Sequence, residues 1–119
     1  MTLTELIAAL EAATGPSRDL SHRVAEAVGW VHRENVKNDF KWLGPDGQAY
    51  LVPPHFTESL DAAMTTVMEG YEWQLEFGEG EYKASVWAVP ERAGDGLVCI
   101  GATPAITLCT AALRARSGA

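Results

Sequence analysis

The chain has 119 residues, 47% apolar and 21% charged, with a formal net charge of −7, which is enough for one domain that folds on its own core without metal or disulfide. No apolar run approaches the roughly 18 residues a membrane span requires, and Glu5 and Glu11 break the Leu3 to Ala13 stretch that would otherwise resemble a secretory leader. Membrane insertion is excluded on this reading, and the negative charge with nine scattered Lys and Arg disfavours nucleic acid as a partner.

Thr2 and Glu5 form a capping-box pattern ahead of Leu3, Leu6, Ile7 and Leu10 at helical spacing, so a first helix is expected to about Ala13. Gly15-Pro16 breaks it. Ser17 or Asp19 then caps a second helix with the stripe Leu20, Val24, Ala27 and Val28, ending at Gly29. Two short helices joined by this corner make an αα-hairpin.

Trp30 to Asp39 is polar and weakly periodic and reads as a loop. Phe40 to Leu43 and Gln48 to Val52 flank Gly44-Pro45-Asp46-Gly47, a hairpin signal, and Pro53-Pro54 stops the second strand. Thr57 is expected to cap a third helix carrying Leu60, Ala63, Met64 and Val67 and ending at Gly70.

Tyr71, Trp73, Leu75 and Phe77 alternate with Glu72, Gln74 and Glu76, the pattern of a half-buried strand with one solvated face. Gly78-Glu79-Gly80 turns the chain, and Tyr82 to Val89 returns beside it. After a loop at Glu91 to Gly96 comes a short strand, Leu97 to Ile100, and Thr103-Pro104 opens a last helix running to about Arg116, with the final three residues frayed. That helix is apolar nearly all round, which places it between two layers: the sheet and the first helix, or the sheet and a second subunit. The fold class is α+β, a single domain over residues 1–119 with an antiparallel sheet of about five strands.

Cys99 and Cys109 have apolar neighbours and read as buried, reduced thiols. His22, His32 and His55 fall in separate segments without zinc-site spacing, and read as surface or loop residues. There is no nucleophile elbow or phosphate loop. No cofactor, metal or catalytic set is expected. The segment Pro53 to Asp61 delivers hydroxyls to a helix start, where orphan N–H groups favour an anion, although Glu58 and Asp61 already supply negative charge there. Trp42 and Tyr50, across the hairpin from each other, belong to an aromatic set able to stack on a base. Arg18, Arg114 and Arg116 lie near helix ends, where they cap carbonyls or face solvent.

Taken in order, Ala13 to Leu20, Trp42 to Gly47, Phe56 to Ala63 and Thr103 to Ala115 resemble the phage ABA sandwich domain family, small proteins of tailed phages and prophages. The resemblance implies an α-β-α sandwich, with helices on both sheet faces, and a cytoplasmic location in the host cell. It brings no established active site. By analogy with phage proteins that counter host defences, it suggests a homo-oligomeric sponge that sequesters a nucleotide-derived immune signal without cleaving it. The ligand-binding residues on this reading are Trp42 and Tyr50 for the base, and Arg18, Thr57 and Ser59 for phosphate or ribose. The alternative is an acidic protein-interaction module, on which Glu58, Asp61, Glu69, Glu72, Glu76, Glu79 and Glu81 meet a basic host or phage protein. Hydrolysis is a third, minor option, since nothing positions a carboxylate pair.

Overall fold

Local signals set the first two elements of the computed structural model, which describes residues 1–88 and 98–118. Thr2 Oγ1 accepts from the Glu5 N–H at 3.1 Å while the Thr2 N–H donates to Glu5 Oε1 at 3.0 Å, closing the capping box of α1 (Leu3–Ala12). Ser17, rather than Asp19, caps α2 (Arg18–Ala27) by accepting from the Leu20 N–H at 3.2 Å. The two helices touch as a hairpin, burying Leu6, Ile7 and Leu10 from one and Ser21, Val24 and Ala25 from the other.

The stretch read as a loop contains a two-residue strand, β1 (Val31–His32). It pairs with β2 (Trp42–Leu43), which pairs with β3 (Ala49–Tyr50), all antiparallel. The β2–β3 hairpin turns where the sequence places it: the Gly47 N–H donates to the Gly44 carbonyl at 3.0 Å, and Gly47 takes φ +82°, which suits glycine. The strands are shorter than expected because their apolar extensions find no core: Phe40, Leu51 and Val52 are all exposed.

The third helix, α3 (Leu60–Met64), is shorter than its apolar stripe suggests, and its cap is Ser59, which accepts from the Ala62 N–H at 3.2 Å. Thr57 is not the cap, because its hydroxyl is engaged elsewhere.

β4 (Tyr71–Gly78) and β5 (Glu81–Ala88) pair without interruption, from Tyr71 opposite Ala88 to Gly78 opposite Glu81. Glu79 at φ +55° and Gly80 at φ +79° turn the chain between them, the two positive values that a tight, right-twisted hairpin demands. β6 (Cys99–Gly101) adds to β5. The predicted loop at Glu91 to Gly96, and Leu97 of the predicted strand, lie outside the described residues.

α4 (Pro104–Gly118) closes the chain, running past the expected end at Arg116, and Thr103 caps it by accepting from the Ile106 N–H at 3.1 Å. Every residue from Ala105 to Leu113 is buried. One side of α4 lies on β5 and β6 and the others meet α1 and α3, so a single chain occupies the apolar surface that the sequence left open to a second subunit. Gly101 allows the closest approach: a Cβ there would lie 2.6 Å from Thr107 Oγ1 and 3.1 Å from Thr107 Cα.

Two expectations about the sheet are corrected. The strands form two three-stranded antiparallel sheets, β1-β2-β3 and β4-β5-β6, not one of about five. Among the described residues, helices also do not cover both faces of the larger sheet. Facing residues of paired strands share a side, so Tyr71, Trp73 and Leu75 with Ala88, Val86 and Ala84 turn toward α4. The opposite face carries Glu72, Gln74 and Glu76, all exposed, together with Ile100 at 48% exposure. Alternation explains this: the strand has apolar residues for one face only.

Candidate functional site

Thr57 is the most heavily bonded of the five residues proposed to bind a ligand. Its side chain is fully buried, its Oγ1 accepts from the Ser17 N–H at 2.9 Å, and its hydroxyl donates to the Ser17 carbonyl at 2.9 Å. That uses its one proton, so Ser21 Oγ, 2.7 Å away, donates to it, while Ser21 accepts from the Thr57 N–H at 3.0 Å. On the other side, Thr103 Oγ1 donates to the Thr57 carbonyl at 3.4 Å and Cys109 Sγ to the Phe56 carbonyl at 3.4 Å. The strap around Phe56 and Thr57 is thereby tied to α2 and α4 at once. These bonds are satisfied inside the protein and offer nothing to a phosphate.

The other four are dispersed. Ser59 spends its hydroxyl on the α3 cap. Trp42 is 6% exposed, and the ring centroids of His22 and His32 each lie 5.0 Å from its own. Tyr50 is half-buried, packs on Trp30 at 5.0 Å, and donates its hydroxyl to Asp46 Oδ2 at 2.5 Å. That bond holds the Asp46 carboxyl below its ordinary pKa and raises that of the Tyr50 phenol. Arg18 is exposed at the first turn of α2. The structure brings Trp42 opposite Tyr50 in register, as the hairpin predicts, but both rings have other neighbours.

Two arginines read as carbonyl caps or solvent-facing charges have definite partners. Arg116 donates through Nε and Nη2 to the Thr66 carbonyl at 3.1 and 2.9 Å, and burial lowers its pKa. Arg114 binds Glu11 at 2.7 Å. Both cysteines are buried and neither forms a disulfide, as expected, and burial pushes the Cys109 thiol up to about 12.

The histidine cluster was not legible in the sequence. α2 supplies His22, β1 supplies His32, and His55 lies close enough to His22 for its charge to be felt there. Burial is the main force lowering the His22 pKa, followed by Arg18 and, more weakly, His55, with Asp19 and Glu26 opposing. His22 Nε2 is buried without a hydrogen-bond partner. His55 Nδ1 lies 2.9 Å from Glu58 Oε2, close enough for an ion pair though not aligned as a hydrogen bond. Among the described residues no His, Cys, Asp and Glu side chains group as a metal site. Of the three, His22 and His32 pack against Trp42. Only the three-dimensional pairing of β1 with β2 reveals this.

The surface with unspent chemistry is the outer face of the β4–β6 sheet. Glu72, Gln74 and Glu76 project from β4; Trp87, Ser85 and Lys83 stand opposite them on β5, and Ile100 opposite Lys83 on β6. Glu69, Glu79 and Glu81 are exposed at the two ends of this hairpin. At the β6 side an open depression of about 420 Å³ is lined by Glu11, Val98, Cys99, Ile100 and Arg114, with Val98 at 58% exposure. A second depression, of about 330 Å³, lies between the start of α1 and the side of α2, lined by Met1, Thr2, Leu3, Leu6, Arg23, Glu26 and Ala27. None of the five predicted ligand residues lines either one.

Compared with known proteins, the chain matches no family model, no curated protein and no solved structure. No described helix is long and apolar enough to cross a membrane.

Proposed function

We propose that this chain is an acidic protein-interaction module, which meets a basic host or phage protein with the outer face of its β4–β6 sheet. The observation that carries the reading is the coincidence, on one uncovered sheet face, of exposed carboxylates at Glu72 and Glu76 with the exposed apolar side chain of Ile100. Carboxylates steer a basic partner into place and an apolar centre holds it once docked. Glu58 and Asp61, counted with the acidic set in the sequence, belong to a different place: Glu58 faces His55 and Asp61 lies in the first turn of α3. The phage setting rests on the family resemblance and is part of the proposal.

The sponge reading requires free groups converging on a pocket, and Thr57 and Ser59 spend theirs within the fold. Incubation with a panel of nucleotide-derived signals, followed by heat release and recovery of an intact ligand, would put that reading first again. For the interaction module, the test is a pull-down from bacterial lysate at low and high salt, with the native chain and with the double variant Glu72→Lys, Glu76→Lys as baits. The reading expects a basic protein that the native chain retains at low salt and that both high salt and the variant release. Retention by the variant, or no specific partner, overturns it.

A further inference from the structure

β4 is an outer strand of eight residues, and among the described residues no strand pairs with its free edge. Its register with β5 is continuous over its full length, without the bulge or proline that usually protects an edge. We propose that this edge pairs antiparallel with β4 of a second copy of the chain, about a two-fold axis through Leu75, to make a continuous six-stranded sheet. The proposal is independent of the reading of the acidic face.

The choice of axis follows from side-chain alternation and charge. Opposed residues must share a face, so each candidate axis passes through a residue. An axis through Gln74 sets Glu72 against the partner's Glu76 on both sides of the axis, and one through Glu76 sets that residue against itself. Like charges directly opposed are destabilising. An axis through Trp73 places Phe77 opposite the partner's Glu69, beyond the strand, and leaves its ring in water. The axis through Leu75 avoids all three faults. It opposes Phe77 to the partner's Trp73 and Leu75 to itself, and sets Glu72 against the partner's Gly78.

That axis also satisfies the polar face. It sets Gln74 opposite the partner's Glu76, so the amide NH₂ donates to a carboxylate that already has Lys83 as its cross-strand neighbour. Each half of the interface therefore reads as cation, anion, donor. Phe77 supplies the apolar reason: it lies on the core-side face yet is 63% exposed, with its ring centroid 4.7 Å from that of Tyr82. A second copy would cover it.

Analytical ultracentrifugation of the native chain over a range of concentrations should show a monomer passing to a dimer, with salt favouring the dimer because each copy carries a charge of −7. Leu75→Cys should form a disulfide-linked dimer under mild oxidation, while Gln74→Cys and Glu72→Cys stay without a cross-link; the native thiols Cys99 and Cys109 are buried. Phe77→Ser should weaken the dimer about tenfold or more. If Leu75→Cys does not fold, the native chain and Phe77→Ser decide the matter, since Phe77 is exposed in the monomer. A chain that stays monomeric at every concentration overturns the proposal, as does cross-linking through Gln74→Cys in preference to Leu75→Cys, or a dimer indifferent to Phe77→Ser.

Discussion

The two faces of the β4–β6 sheet differ in how their polar groups are used: hydroxyls on the inner side tie elements together, and carboxylates on the outer side stand in solvent. On the inner side, Thr57 bonds to Ser17 and Ser21, Cys109 reaches the Phe56 carbonyl, and α4 is buried from Ala105 to Leu113. On the outer side, Glu72, Gln74 and Glu76 stand in solvent beside Ile100. Hydroxyls and aromatics that look like ligand chemistry in a sequence are, in a domain this small, often what ties the elements together. The residues left for recognition are those the core did not recruit.

Two phenylalanines give the largest contrast. Phe56 is 1% exposed and Phe77 is 63% exposed. Phe56→Ala should cost about 3–5 kcal/mol in chemical denaturation, whereas Phe77→Ala at a concentration where the chain is monomeric should stay within about 0.5 kcal/mol. Similar losses at both positions would remove the distinction between the faces.

Next in size are two changes to the inner layer. Thr57→Val keeps the shape but leaves the Ser17 N–H and the Ser21 hydroxyl without their acceptor, for an expected loss of about 1–3 kcal/mol. A loss near zero, with ligand binding abolished, would return Thr57 to a recognition role. Gly101→Ala should cost about 1–3 kcal/mol through overpacking against Thr107. Adding Thr107→Ala should relieve only part of that, since the backbone of Thr107 is also in contact.

A smaller effect concerns pH. Because burial depresses the His22 pKa in the folded chain, the unfolded chain binds the proton more readily. The stability this imidazole contributes is fully present above its unfolded pKa of about 6.5 and is lost as pH falls through that value toward the folded one. Denaturation midpoints should therefore drop on acidification in this window, with a change in tryptophan fluorescence from Trp42, which touches His22 and His32. His22→Gln should flatten both responses. A variant with the native pH profile would assign the effect to other groups.

What the sequence disclosed was mostly local. The Thr2–Glu5 capping box, the Ser17 cap, the turns at Gly44 to Gly47 and Gly78 to Gly80, and the Thr103 cap all depend on residues within a few positions of each other, and all are present. The role of Thr57 was hidden because its partners lie 36 to 46 residues away. The separate small sheet escaped because two-residue strands leave no periodic trace, and with β1 unseen the meeting of His22 and His32 around Trp42 could not be read. The sandwich expectation failed against a signal already visible: Glu72, Gln74 and Glu76 in alternation describe a face that water covers.

Hydrogen exchange of the chain alone and bound to its captured partner tests the central claim most directly. Slowed exchange at residues 72–76, 83–85 and 99–101 is the predicted result, with the segment around Thr57 unchanged. Protection confined to Arg18, Tyr50 and Ser59, with the outer sheet face unaltered, would contradict it.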